Sequence, residues 1–280
     1  MAEWTLVVPH RDAVRAPAER RSARPHPRLA GHVLGYVSHD FHRTDALPWR
    51  FTPLGVVTVT LDFTAPARRV AGAAHDLPVS PVLGLRDRPL EVVQSGAARG
   101  VAIALTPPGA YALFGMPLRE LANATAGFED LLGRDAALLT ERLSENPDTG
   151  VLDDFLRARL LDAPSPPRPV LGAWHRITAT RGRLRIDALA DEAGWTRRHL
   201  TSRFRAAFGF GPKTVARVVR LQHAAALAGR LPWPEIAHRC GYADQSHLNR
   251  EFRALAGCTP TDFAPTAGPP VSTASSAEQQ

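Results

Sequence analysis

Two short stretches of the chain carry side chains whose chemistry suits the reading of nucleic-acid bases. One holds Arg197, Arg198, Thr201, Ser202 and Arg205, and the other Gln245, Ser246, Asn249, Arg250 and Arg253. Arginine pairs bidentately with guanine, Asn and Gln pair with adenine, and Ser or Thr contacts bases or phosphates. At these spacings each set lies on one face of a helix, opposite an apolar row. That row is Leu200, Phe204 and Ala207 in the first stretch and Leu248, Phe252 and Leu255 in the second. The first set has no acid, whereas a solvated helix ordinarily mixes Glu and Lys at i, i+4. The implied chemistry is non-covalent: phosphate neutralisation together with readout of base edges.

The elements that position these residues are repeated. Ala190 and Gly194 recur 47 positions later as Ala237 and Gly241. His199, Leu200, Phe204, Arg205, Ala206, Gly209 and Pro212 recur 48 positions later as His247, Leu248, Phe252, Arg253, Ala254, Gly257 and Pro260. Nine identities in order, with a single shift at a turn, mark two copies of one supersecondary unit. Each copy reads as helix, tight turn, helix. In the first, Asp187 caps a short helix with Leu189, Ala190 and Ala193 on its buried face, Gly194 supplies the turn, and Thr196 caps the second helix. In the second, Pro234 suits the first helical turn, Ile236, Ala237 and Cys240 face inward, Gly241 turns the chain, and Asp244 caps the last helix. Two such units are helix-turn-helix motifs, whose second helices fit the major groove of DNA. Between them, Pro212 to Arg230 contains no breaker and predicts a connecting helix of about 19 residues, roughly 28 Å long.

Charge follows the same division. The net charge is +7. Residues 168–263 carry 16 Arg and Lys against 7 Asp and Glu, while residues 1–167 carry 18 against 19. The excess positive charge therefore sits with the repeat, as contact with a polyanion requires. The run Pro164, Ser165, Pro166, Pro167, Arg168, Pro169 reads as a stiff linker, 164–169. The expected organisation is a flexible basic arm at 1–28, an effector-sensing or dimerising domain at 29–163, the linker, a DNA-binding domain at 170–263 and a disordered tail at 264–280. Residues 29–167 hold 12 basic and 16 acidic groups, which suggests an acidic body tethered through prolines to the part that grips DNA.

The N-terminal domain shows strand patterns at Leu54–Phe63 and Gly100–Leu105 and helical patterns over 117–143 and 151–161. Strands followed by helices predict an α+β fold. His26, His32, His39, His42 and His75 raise the question of a metal, but an isolated HxxH at His39 and His42 is weak, and no metal or cofactor is expected. Cys240 and Cys258 are too few for a disulfide framework and read as small buried apolar side chains. No Gly-rich phosphate loop, GxSxG elbow or HExxH appears, so the chain is not expected to be an enzyme and no catalytic residue is assigned. No apolar run reaches the roughly 18 residues of a membrane span, and Glu3 stands where a signal peptide is basic; a cytoplasmic location is expected.

The stretch LADEAGWTRRHLTSRFRAAFGFGP, the connector KTVARVVRLQHAAALA, and PEIAHRCGYADQSHLNREFRALAGCTPTDF resemble, in order, the C-terminal region of AraC/XylS-family bacterial transcription regulators over roughly residues 170–263. The resemblance implies a fold of about seven helices carrying two helix-turn-helix motifs, and a β-rich, often cupin-like N-terminal domain that binds an effector, with adjacent helices that dimerise. It places Arg198, Thr201, Ser202 and Arg205 outward on the first recognition helix and Gln245, Ser246, Asn249 and Arg250 outward on the second, which in the family is often the less specific reader. The family's aromatic-basic pair after Pro260 is broken here, since Ala264 follows Phe263. Trp195 and Tyr242, just after the turn glycines, read as packing residues rather than base intercalators. The implied partners are double-stranded promoter DNA, a small-molecule effector, a second copy of the chain and, for an activator, RNA polymerase; no membrane partner is implied. Two other classes compete with this reading: a DNA-directed enzyme with an N-terminal catalytic domain, and a nonspecific nucleoid-type protein.

Overall fold

The computed structural model describes residues 8–9, 19–72 and 76–263. The tail expected at 264–280 lies outside them. The N-terminal sheet consists of β1 (Val8–Pro9), β2 (Glu19–Ala23), β3 (Val33–Phe51), β4 (Val57–Asp62), β5 (Ala67–Val70), β6 (Pro81–Leu83), β7 (Leu90–Leu105) and β8 (Thr125–Gly127). All pairings are antiparallel, in the order β1-β3-β7-β4-β6-β8, with β2 beside β3 and β5 beside β7. A break in register between Arg43 and Leu47 divides the long β3, so its two halves pair separately with β2 and β1. Inside the sheet Val57, Val59, Leu61 and Leu105 are fully buried.

Helices follow the strands, giving the α+β class expected. Thr106 caps α1 (Pro107–Phe114) by accepting from the Gly109 amide at 3.0 Å. The single helical stretch expected over 117–143 is instead a 3-10 turn (Leu118–Leu121), β8, α2 (Phe128–Leu132) and α3 (Arg134–Glu145). Gly133 separates the last two at φ 60, ψ −139, a conformation that side chains with a Cβ avoid. α4 (Thr149–Leu160) returns to the sheet, where Asp153 accepts from the Tyr36 hydroxyl at 2.8 Å and from the His26 amide at 2.9 Å. Of the flexible arm expected over 1–28, residues 1–7 and 10–18 lie outside the described residues, while residues 19–23 form β2 and His26 is bonded to α4, which corrects the expectation for that portion.

The C-terminal region comprises α5 (Arg168–Ala179), α6 (Ile186–Glu192), α7 (Arg197–Phe208), α8 (Pro212–Leu227), α9 (Trp233–Arg239) and α10 (Gln245–Ala256). Where about seven helices were expected, the described residues hold six, and a single turn at Thr259–Phe263 stands in the seventh place. The proline segment is shorter than 164–169, because Arg168 and Pro169 already belong to the first turn of α5, where a missing amide costs nothing. The connector α8 is 16 residues, about 24 Å, ending before Ala228.

The packing departs most from a tethered body. One continuous apolar core runs from Leu29 and the sheet through Leu118 and Leu121 into Trp174, Leu189, Phe204, Phe208 and Val215. A separate core begins at Val218 and Leu221 and holds Ile236, Leu248, Phe252 and Phe263. The first helix-turn-helix is thus built into the N-terminal domain, and the second has its own interior. Among the described residues no helix is long and apolar enough to cross a membrane.

Candidate nucleic-acid interface

Both repeat units fold as the spacing requires. In each, the turn glycine has positive φ (Gly194 at 64°, Gly241 at 75°), and the next amide reaches back to close the first helix. Trp195 N–H donates to the Ala190 carbonyl and Tyr242 N–H to the Ala237 carbonyl, each at 2.9 Å. With the amides of Gly194 and Gly241 bonded three residues back, these are Schellman closures. Thr196 and Asp244 then cap α7 and α10 by accepting from the amides of His199 (3.2 Å) and His247 (2.6 Å). Asp187 does not cap α6; Arg185 occupies that position without a side-chain bond, and Asp187 lies in the first turn. The residues after the glycines pack as expected: Trp195 meets the His199 ring edge-on at 4.5 Å, and Tyr242 meets His247 at 5.4 Å, under the Arg220 guanidinium at 5.0 Å.

With Leu200, Phe204, Leu248 and Phe252 fully buried, the expected readers face outward. Arg198, Ser202 and Arg205 on α7, and Gln245, Ser246, Arg250 and Arg253 on α10, are exposed. Among the described residues the side chains of Arg198, Arg205, Arg250 and Arg253 have no hydrogen-bonding or ion-pair partner in the protein, which leaves their guanidinium groups available to an anion or a base. Three expected readers are partly committed. Arg197 is bonded to Asp187 at 3.3 Å, Thr201 is half-buried with its methyl against Gly211, and Asn249 is half-buried.

Other arginines of the basic third are structural. Arg176 pairs with Glu192, Arg239 with Glu235, and Arg217 with Glu251 at 2.8 Å, which raises the Arg217 pKa. Arg183 donates to the Arg239 carbonyl at 3.0 Å and covers Gly241, so the loop before the first unit closes the turn of the second. Arg181 donates to His223 Nε2 at 2.8 Å. His223 Nδ1 lies 3.4 Å from Cys240, whose thiol burial pushes up to about 11. Sequence reasoning did not single out the cleft of about 560 Å³ between the units, lined by Arg185, Lys213, Arg217, Arg220, Asp187 and Glu251 among others. Its only sequence signal is the scarcity of acids over 168–263.

The N-terminal domain buries a polar cluster within the sheet. Asp62 is ion-paired with Arg68 and lies 3.2 Å from His39 Nε2, and Arg68 Nε donates to Gln94 Oε1 at 3.0 Å. The Gln94 amide nitrogen is buried without a partner. His42 is exposed, and His75 lies outside the described residues. Among the described residues no three His, Cys, Asp or Glu side chains gather as a metal site would need.

Residues 189–265 match the family model described as a helix-turn-helix domain. The HTH-type transcriptional regulator GlxA of Rhizobium meliloti (strain 1021) is 30% identical over 139 residues, 44% of this chain and 43% of that protein. The match spans less than half the length of this relative. Among solved structures, the C-terminal domain of AraT, a response regulator from Geobacillus stearothermophilus, covers 35% of this chain and 84% of its own, with a TM-score of 0.33 and 22% identity. ToxT from Vibrio cholerae covers 88% of this chain and 97% of its own, with a TM-score of 0.47 and 12% identity. Residues 189–265 are thus a helix-turn-helix domain by family match, and the structure places two helix-turn-helix units, α6–α7 and α9–α10, in the C-terminal region.

Proposed function

We propose that this protein is a sequence-specific DNA-binding transcription regulator in which α7 and α10 enter successive major-groove segments on one face of the duplex. The observation that carries the reading is the pair of repeat-related helices whose outward faces hold Arg198, Ser202 and Arg205 and Gln245, Ser246 and Arg250, all exposed. Encounter begins with phosphate neutralisation by the basic third, which is salt-dependent and largely indifferent to sequence. Base contacts by the two helices then select the site, with Arg197, Thr201, Asn249 and Arg253 supporting them. The action is binding rather than catalysis, in keeping with the regulatory relative.

The N-terminal domain modulates this binding, through an effector or through pairing of two copies, with the change of role near residues 164–169. An effector acts only as far as it binds two arrangements unequally. The buried cluster leaves the Gln94 amide nitrogen without a partner, and an effector bringing an acceptor oxygen there would satisfy it. The shared core gives such an event a direct path to the first unit.

Selection from random DNA tests the function. The expected product is a motif with two half-sites about one helical turn apart, roughly 10–11 base pairs. Recovery of no motif, with equal affinity for random sequences, would instead describe a nucleoid-type protein.

A further inference from the structure

The C-caps of the two recognition helices, Gly209 and Gly257, are repeat equivalents, and both abut the N-terminal domain. A β-carbon on Gly209 would lie 2.6 Å from the Ala122 side chain and 3.2 Å from the Leu118 carbonyl. One on Gly257 would lie 3.0 Å from the Pro89 ring. Ala122 and Pro89 belong to two segments that are fastened to each other. The pairing of β6 with β8 continues past Leu83 and Thr125 as Gly84 N–H to the Ala124 carbonyl (3.3 Å) and Asn123 N–H to the Leu85 carbonyl (2.8 Å). It ends in a reciprocal clasp, in which Asn123 Nδ2 donates to Asp87 Oδ1 at 2.8 Å and Asp87 N–H donates to Asn123 Oδ1 at 3.2 Å.

The clasp is held tightly. Asn123 sits at φ 56, a left-handed conformation that Asn tolerates better than most residues with a Cβ. Gly84 lies so close to Leu121 that a β-carbon would fall 1.8 Å from its carbonyl oxygen. One arm of the clasp therefore backs the first recognition helix and the other backs the second. The connector α8 joins the two units through a turn at each end, Gly209–Gly211 and Ala228–Leu231, and Arg183 adds a bond to the Arg239 carbonyl of the second unit. Asp87 also adds to the field on Arg217, which is bonded to Glu251 of α10, so the same arm touches the second unit by charge as well as by packing.

We propose that the Asp87–Asn123 clasp is a positioning device that sets the separation of the two recognition helices and hence the half-site spacing the protein accepts. The proposal rests on the DNA-binding reading above. Neither residue lies on the outward face of α7 or α10, so base preference within each half-site is unaffected.

The test uses the full chain and DNA carrying the two selected half-sites with the spacer lengthened or shortened by one or two base pairs. The native protein is expected to lose about tenfold in affinity for each one-base-pair change, because each base pair both translates and rotates the second site. Asn123→Gly keeps the positive φ while removing the amide, and Asp87→Ser removes the carboxylate from the other side. In both, the loss at an altered spacer should shrink to about threefold, with the selected bases unchanged. Folded variants with the native spacing profile would overturn the proposal. So would unfolding of both variants, which would make the clasp a stability element only. Failure of the native protein to yield any motif would sink the DNA-binding reading instead.

Discussion

In the first helix-turn-helix unit Phe204 meets Phe208 edge-on, and Phe208 meets Trp174, within a core that continues through Leu118 and Leu121 into the sheet. In the second, Phe252 stands edge-on to Trp233 and Phe263 in a core confined to α8, α9, α10 and the final turn. The two units share their caps, turn closures and aromatic-histidine pairs, yet they differ in what lies behind them. Local sequence specifies the shape of a helix-turn-helix; its coupling to the rest of the molecule is decided by whichever surface its buried side chains happen to meet. The first unit is placed to feel any change in the N-terminal domain, and the second feels it through a few contacts such as Pro89 with Gly257.

The largest expected effects probe that difference. Phe204→Ala and Phe252→Ala each remove a fully buried ring and should each cost about 3–5 kcal/mol. Phe204→Ala is expected to lower the unfolding of the sheet and the first unit together, whereas Phe252→Ala should release the second unit alone. Hydrogen exchange in rising urea separates the outcomes, and loss of protection across the whole chain in Phe252→Ala would break the comparison.

Next come the outward arginines. Arg198→Ala should cost about 1–3 kcal/mol on the preferred DNA site and relax base choice at one position. Arg250→Ala, on the more loosely held unit, should cost less and more evenly across sequences. Parallel binding titrations on preferred and scrambled sites check this, and equal, uniform losses would make both arginines phosphate contacts.

A smaller effect is expected at the caps. Thr196→Ala and Asp244→Ala each remove one capping bond, worth about 1 kcal/mol. Thermal melts should register Thr196→Ala in the main transition and Asp244→Ala only in that of the second unit.

The smallest is a pH effect. Burial, with Arg181 and Arg183 nearby, holds the His223 pKa below its usual 6.5, and Arg181 donating to Nε2 requires the neutral ring. The unfolded chain therefore binds this proton more readily. The stabilisation from His223 is complete above pH 6.5 and is lost as pH falls below it. Melting of the second unit should decline more steeply from pH 7 to 5 in the native protein than in His223→Gln; identical slopes would remove His223 from the account.

Much of the two helix-turn-helix units was legible in the sequence because it is local. Capping residues, turn glycines and the i, i+4 apolar rows all act within a few residues, and the repeat displayed them twice. The strand patterns at Leu54–Phe63, which encloses β4, and at Gly100–Leu105, the end of β7, were likewise readable, but β7 extends back to Leu90, where Gln94, Gly96 and Ala97 interrupt the pattern. The missed features join distant residues. The Gly55 amide donates to Gln222 Oε1 across 167 positions, and the 3-10 turn at Leu118 owes its role to helices far along the chain. No periodicity encodes such meetings. For the same reason the prolines near 164 read as a tether although the regions on either side share one interior.

That shared interior also bears on how such a chain can be recombined. The second unit has its own enclosed core, so under the DNA-binding reading it is the more readily exchanged for one with different base preferences, provided that its contacts with Pro89 and Arg183 are kept. The first has no such boundary. Transplanting it would strip Trp174 and Phe208 of the wall that Leu118 and Leu121 help to form, so new specificity there must come from changes on its outer face while its inner face stays fixed.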